Sequence, residues 1–242
     1  MTHQLDLAYR TPDECQLDLH LPDQDHFPLF VYFHGGGLEK GDKAQNMAFI
    51  HYLNAQGIAV ASVNYRMYPN AHYPDFLEDA AAAVAWIWEK FSCDVRCDGI
   101  WIGGSSAGGY LSMMLCFDSS LLAAHRLKPT DFRGFFHDAG QPTAHFRVLR
   151  ERGIDSRRII VDESAPLYHI GTVPDYPPMR FVISDNDMFG RYEQTRLAVA
   201  ALAHFGFGSD KVSLVKMHGK HCAYVKEARF GQMIADFIRN CP

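Results

Sequence analysis

Gly104-Ser105-Ser106-Ala107-Gly108 follows the apolar run Gly99-Ile100-Trp101-Ile102 and precedes the helix-like stretch Tyr110 to Phe117. A GxSxG pentapeptide between a strand and a helix presents its central serine on a tight turn, which makes Ser106 the candidate nucleophile. The flanking glycines suit such a turn, because a Cβ there would collide with the strand or the helix. With the helix starting at the serine, its first amides, beginning with the Ala107 N–H, point at the oxygen that becomes negative when an acyl carbonyl is attacked.

Upstream, Pro28-Leu29-Phe30-Val31-Tyr32-Phe33 reads as a buried strand and runs into His34-Gly35-Gly36-Gly37. Three successive glycines let the backbone turn its N–H groups into a cavity with no side chain in the way. Gly36 and Gly37 are the expected donors of an oxyanion hole, completed by Ala107. A nucleotide-binding reading of 103–109 fails in detail, since Ser105 stands where GxGxxG needs glycine and no GK[ST] follows.

A serine hydroxyl is a poor nucleophile without a base, and the base needs an acid to hold its tautomer. After a GxSxG elbow the acid and then the base follow in chain order. Met179 to Ser184 reads as a strand ending in Asp185-Asn186-Asp187, and Val212 to Met217 as one ending in His218-Gly219-Lys220-His221. Asp187 is preferred as the acid because it sits deeper in the loop, with Asp185 bracing the turn or capping it. His221 is preferred as the base because it stands on the loop before the terminal helix, whereas His218 extends the strand. A zinc site at His218, His221 and Cys222 is the rival, but it lacks a carboxylate or further cysteine at ligand spacing. No metal and no cofactor are expected.

Working outward, apolar runs at 16–21, 29–33, 58–63, 100–102, 134–136, 179–184 and 211–217 alternate with helical patterns, the clearest being Pro74 to Phe91, Arg191 to Phe205 and Ala223 to Arg239. That alternation predicts an α/β fold: a mostly parallel sheet with helices on both faces. The 242 residues fit one domain. Residues of about 140–176 carry no obvious strand and are expected to form a small cap, with a surface helical excursion as the alternative.

Hydrophobic residues at 48 % and charged residues at 21 % are ordinary globular values, and a net charge of -5 offers nothing to attract phosphate backbones or anionic lipid. Nucleic acid and membrane are therefore not expected partners. The first residues, Met1 to Asp6, lack the basic and apolar regions of a leader, so the location expected is cytoplasmic. Six cysteines without a framework pattern read as reduced thiols, and a zinc half-site at Cys93 and Cys97 has no second pair to complete it.

Taken together, His34-Gly35-Gly36-Gly37, the Gly104 to Gly109 elbow, the Asp187 loop and the Gly219-Lys220-His221 end resemble the α/β-hydrolase esterases related to hormone-sensitive lipase, and the feruloyl- and acetyl-esterase-like group near them. The likeness spans about residue 28 to the C-terminus. It implies the α/β-hydrolase fold, a triad of Ser106, Asp187 and His221, and an oxyanion hole of Gly36, Gly37 and Ala107. Ser105 stands where that family often carries an acidic residue. The expected function is a serine carboxylesterase for small acyl esters, including acetylated or feruloylated carbohydrates. An amide hydrolase such as an arylformamidase or small peptidase would use the same machinery, and a hydrolase-fold binding protein would be expected to have lost a triad member. A homodimer is left open.

Overall fold

The computed structural model describes residues 2–241. In chain order its elements are β1 (Thr2–Ala8), β2 (Gln16–Leu21), β3 (Phe27–Phe33), α1 (Met47–Ala55), β4 (Ala59–Val63), α2 (Asp75–Phe91), β5 (Cys97–Ser105), α3 (Ala107–Phe117), α4 (Ser119–Ala123), β6 (Gly134–Asp138), α5 (Phe146–Glu151), α6 (Pro166–His169), β7 (Met179–Asn186), α7 (Arg191–His204), β8 (Val212–Lys220) and α8 (Ala228–Asn240). The strands form one sheet in the order β1-β2-β4-β3-β5-β6-β7-β8. From β4 to β8 every pairing is parallel, while β1 and β2 join antiparallel. This is the α/β architecture expected.

The central strands are continuous apolar runs because both of their faces are covered. In β3, Leu29, Val31 and Phe33 enter one core layer with residues of α2, α3 and α7. Phe30 and Tyr32 point the other way, into the layer made with α1 and α8. In β5, Ile100 and Ile102 take the first side and Trp101 the second. The two-residue period of the strand thus assigns each side chain to a layer.

The structure corrects several boundaries. β1 and α1 were not expected. β1 (THQLDLA) is an edge strand with mostly exposed side chains, so it lacks the apolar run that marks its neighbours. Pro74 precedes helix α2 rather than opening its first turn. The terminal stretch expected as one helix from Ala223 is a 3-10 turn, Ala223–Lys226, followed by α8. The break falls at Glu227, whose backbone is extended (φ -99°, ψ 148°), because Tyr224 and Val225 turn inward first. Strands β7 and β8 run on to Asn186 and Lys220, so Asp185 and His218 lie on strands.

The long connection from β6 to β7 holds α5 and α6 around a small core of Ala144, Leu149 and Ala165. It is bound to α3, where the Tyr110 hydroxyl donates to the Ser164 carbonyl at 2.9 Å. No helix among the described residues is long and apolar enough to cross a membrane. The six cysteines are free thiols.

Candidate active site

In a parallel sheet the loops after the strands gather at one end, and there the polar residues singled out above meet. Ser106 is the single residue between β5 and α3, held at φ 56° and ψ -111°. A non-glycine residue in that region is strained, and the strain is sustained by the packing around it. Its amide donates to the Asp138 carbonyl at 2.8 Å. The turn can close because Gly104 and Gly108 have no side chains: a Cβ on Gly108 would stand 1.9 Å from the Phe33 carbonyl oxygen. The Ser106 side chain makes no capping bond to its own helix, which leaves Oγ free to face outward.

The hydroxyl lies 2.8 Å from His221 Nε2, and His221 Nδ1 lies 2.6 Å from Asp187 Oδ1. Nδ1 faces a carboxylate and therefore carries the ring proton, leaving Nε2 as the acceptor for the Ser106 O–H. The Asp187 side chain is only 2 % exposed. Burial would raise its carboxyl, but the His221 hydrogen bond and charge, with the Met188 N–H donated at 2.7 Å, hold it below the ordinary carboxylate range.

The two alternatives of the sequence reading are also bonded, to each other. His218 Nδ1 meets Asp185 Oδ2 at 2.7 Å, at the surface, and the Gly219 N–H donates to Asp185 Oδ1 at 2.9 Å. Pairing of β7 with β8 runs in step to Ser184 opposite Met217 and resumes with Asn186 opposite Lys220. One extra residue therefore sits in β8, a bulge, and Gly219 within it takes φ +126°. Asp185 braces this bulge rather than the loop that follows it. Beside it the Ser184 hydroxyl donates to the Lys220 carbonyl at 3.0 Å, fixing the Asp187 and His221 loops to one another.

The glycine loop after β3 faces the hydroxyl. Gly36 has φ +125°, and a Cβ on it would stand 1.7 Å from the Lys40 carbonyl oxygen, so the loop as folded admits only glycine there. Its carbonyl accepts from the Glu39 and Lys40 amides, while the Gly36, Gly37 and Ala107 N–H groups have no hydrogen-bond partner among the described residues. The His34 ring stacks on Tyr65 at 4.6 Å, and the Tyr65 hydroxyl donates to the His34 carbonyl, which fixes the root of the loop. Tyr65 is thus a core residue, whereas Phe146 lines the cleft and Tyr168 is exposed. The cleft has a volume of about 620 Å³, with Gly36, Gly37, Ser106, Phe146, Met188 and His221 in its walls.

Behind the elbow stands a carboxyl the sequence reading missed. Asp138 ends β6 directly opposite Ser105 and is fully buried. Burial pushes its carboxyl up to about 6, although the Tyr224 hydroxyl donates to it at 2.5 Å. The signal was the polar pair His137-Asp138 closing the apolar run Gly134 to Phe136. Cys222 Sγ lies 3.7 Å from His221 Nε2 and 3.8 Å from Asp138 Oδ2, and burial pushes its thiol well above the ordinary range. Among the described residues no group of three or more His, Cys, Asp or Glu side chains could hold a metal ion.

Residues 17–128 match the family model described as BD-FAE. Among curated relatives, Carboxylesterase NlhH of Mycobacterium tuberculosis is 38% identical over 96 residues, 38% of this chain and 30% of that protein. Lipase 2 of Moraxella sp. is 40% identical over 103 residues, 42% of this chain and 22% of that protein. The matched stretch spans less than a third of either relative's length. Among solved structures, a truncated carbohydrate esterase from gut microbiota superposes with a TM-score of 0.79 at 18% identity, covering 99% of this chain and 95% of that one. A thermophilic esterase of Thermogutta terrifontis gives 0.72 at 22%, covering 98% and 90%. The chain has the α/β-hydrolase fold and over residues 17–128 matches BD-FAE, in keeping with its resemblance to the esterases related to hormone-sensitive lipase.

Proposed function

We propose that the protein is a serine carboxylesterase acting on small acyl esters, with Ser106 as nucleophile, His221 as general base and acid, and Asp187 holding the imidazole. The observation that carries the reading is the unbroken chain from Ser106 Oγ through His221 to Asp187, at 2.8 and 2.6 Å, assembled from the ends of three different strands. Ser106 Oγ attacks the ester carbonyl carbon as its proton passes to His221 Nε2. The tetrahedral oxyanion is met by the Gly36, Gly37 and Ala107 N–H groups, each such donor supplying roughly 3 kcal/mol to the transition state. His221 then returns the proton to the leaving alcohol as the carbon–oxygen bond breaks. Water, deprotonated at Nε2, releases the acid from the acyl-enzyme. Every step uses the chain's own groups and needs no cofactor.

Strained backbone at Ser106 and unpartnered amides on two loops support the same reading, because both carry a conformational cost that a purely structural turn would not need. Acetylated or feruloylated carbohydrates are the first substrates to try, given the carbohydrate esterase among the structural neighbours. The 140–176 connection contributes Phe146 to the cleft and serves as a small cap.

The test is labelling with a fluorophosphonate followed by intact mass, alongside turnover of p-nitrophenyl esters, acetylated and feruloylated sugars and formyl-anilides. One adduct on Ser106 and ester turnover are expected. Ser106→Ala should abolish the adduct and slow turnover by roughly 10⁶, about 8 kcal/mol. Most of the activity surviving in Ser106→Ala refutes the nucleophile assignment, and formyl-anilides turned over in preference to every ester would replace the esterase by an amidase.

A further inference from the structure

Beside the catalytic cleft lies a second one of about 550 Å³, and the two share Phe146 and Met188 as a common wall. Its sides are apolar: Phe146, Ile159, Met188 and Phe189, the last almost fully exposed. Its floor is polar and rigid. The buried Arg191 guanidinium donates to the Ala139 carbonyl at 2.6 Å and to Gln141 Oε1 at 3.2 Å, and Gln194 Oε1 accepts from the Thr143 hydroxyl at 2.9 Å. Arg191 is thus committed to holding the floor.

The rim is basic and unbalanced. Arg150, Arg157 and Arg158 line the opening, with no carboxylate among the lining residues. Arg157 is neutralised by a two-pronged pair with Asp155, reaching 2.5 Å. Arg150 donates only to the neutral Ser156 hydroxyl, at 3.2 Å, and lies over the Phe146 ring at 5.4 Å; neither it nor Arg158 forms an ion pair among the described residues, and Asp155, already paired with Arg157, is the carboxylate whose charge Arg158 feels. Three guanidiniums set against the single nearby carboxylate of Asp155, above low-dielectric walls, leave a net positive potential inside the cleft. A guanidinium offers paired donors that match a carboxylate or related anion. In a chain of net charge -5, this local excess stands against the overall sign.

We propose that this second cleft is a specificity subsite that binds an anion carried on an apolar stem, so that the preferred esters bear a negative charge, held by Arg150 and Arg158, beyond the reacting bond. The proposal rests on the esterase reading and names the substrate class for that same site. The apolar walls take the stem, and the position beside Phe146 places the anion on whichever half of the ester leaves the catalytic cleft along that wall.

Two substrate pairs separate the halves. The acyl arm compares mono-p-nitrophenyl adipate with p-nitrophenyl hexanoate, which share chain length and leaving group. The alcohol arm compares 4-acetoxybenzoate with its methyl ester, read as the ratio of wild type to variant so that the leaving-group difference cancels. In one arm the wild type is expected to favour the anionic member about tenfold in kcat/KM, mainly through KM. Arg150→Gln/Arg158→Gln should remove that preference while changing kcat/KM for the neutral ester far less, and Arg158→Glu should invert it. Both arms indifferent to charge, or a preference that survives the double variant, overturns the subsite while ester turnover and Ser106 labelling leave the esterase standing. No turnover of any ester and no label on Ser106 overturns both.

Discussion

Two aspartates and two histidines compete for one charge relay, and the same substitution made two residues apart separates them. Asp187 Oδ1 receives both His221 Nδ1 and the Met188 N–H, while Oδ2 faces the Ser184 N–H at 3.4 Å. In Asp187→Asn the amide can settle in two ways. With its oxygen at the Oδ1 position the bonds from His221 and Met188 survive, but the amide nitrogen then faces the Ser184 N–H and the negative charge opposite the imidazolium is gone. For charges about 4 Å apart at an effective dielectric of roughly 20, that loss is about 4 kcal/mol, or roughly 10³ in rate. With the amide reversed, an N–H faces Nδ1 and forces the proton onto Nε2, where it can no longer accept from Ser106; the comparable change in a serine protease costs about 10⁴. Either way, ester turnover should slow by roughly three to four orders of magnitude.

Asp185→Asn is a different experiment. The partner, His218, is 92 % exposed, and an exposed ion pair contributes about 0–1 kcal/mol. The asparagine oxygen still accepts the Gly219 N–H that pins the bulge. The expected fall is no more than about fivefold. Initial rates on a p-nitrophenyl ester, with thermal melts to establish that both variants fold, give the comparison. If Asp185→Asn is the crippled protein, or if the two lose activity equally, the assignment of Asp187 is wrong.

Two further outcomes concern stability. The folded-state value of Asp138, about 6, lies above the ordinary 3.8, so between those values the folded chain holds a proton that the unfolded chain has released, and stability should fall as pH rises from about 4 to 6. Asp138→Asn keeps an acceptor for Tyr224 and should gain up to about 3 kcal/mol on the wild type across that window in urea unfolding; parallel pH profiles would contradict it. Asp79 is wholly buried and accepts Arg66 Nε and Nη2 at 2.8 Å each, the Arg66 N–H at 3.1 Å and, as an ion pair at 3.2 Å, Arg10 Nη1. Arg66→Met should cost about 3 kcal/mol, because it leaves the buried carboxylate with only Arg10 and the backbone N–H of residue 66, and Arg66→Met/Asp79→Leu should recover most of it, as read from urea midpoints.

Much of this architecture was written in local pattern. A strand buried on both faces must be apolar throughout, so β3, β4 and β5 announce themselves, and a serine between glycines can leave such a strand only by a sharp turn. What the pattern hid was everything decided by partners distant in sequence. β1 is legible only once β2 is known to need a neighbour on its outer edge. Asp138 matters because β6 lies beside β5 in a register that sets it against Ser105, and no spacing within its own segment says so. The basic rim of the second cleft, from Arg150, Arg157 and Arg158, meets Met188 and Phe189 across the chain only after folding.

The choice between the histidines shows the limit most sharply. Residues 218 and 221 are three apart on an extended chain, and 185 and 187 are two apart, so an unbroken ladder could not serve both pairs at once. A slip of one residue in a strand exchanges its two faces. The bulge at Gly219 supplies that single residue, which is why His218 lies at the surface beside Asp185 while His221 clears the strand end and reaches Ser106. Asp185 receives both the bulged amide and the His218 ring, so it braces the bulge on which the placing of His221 depends. The glycine between the histidines was visible in the sequence, but its consequence belongs to the pairing of β7 with β8, where one added residue sets which imidazole stands over Ser106.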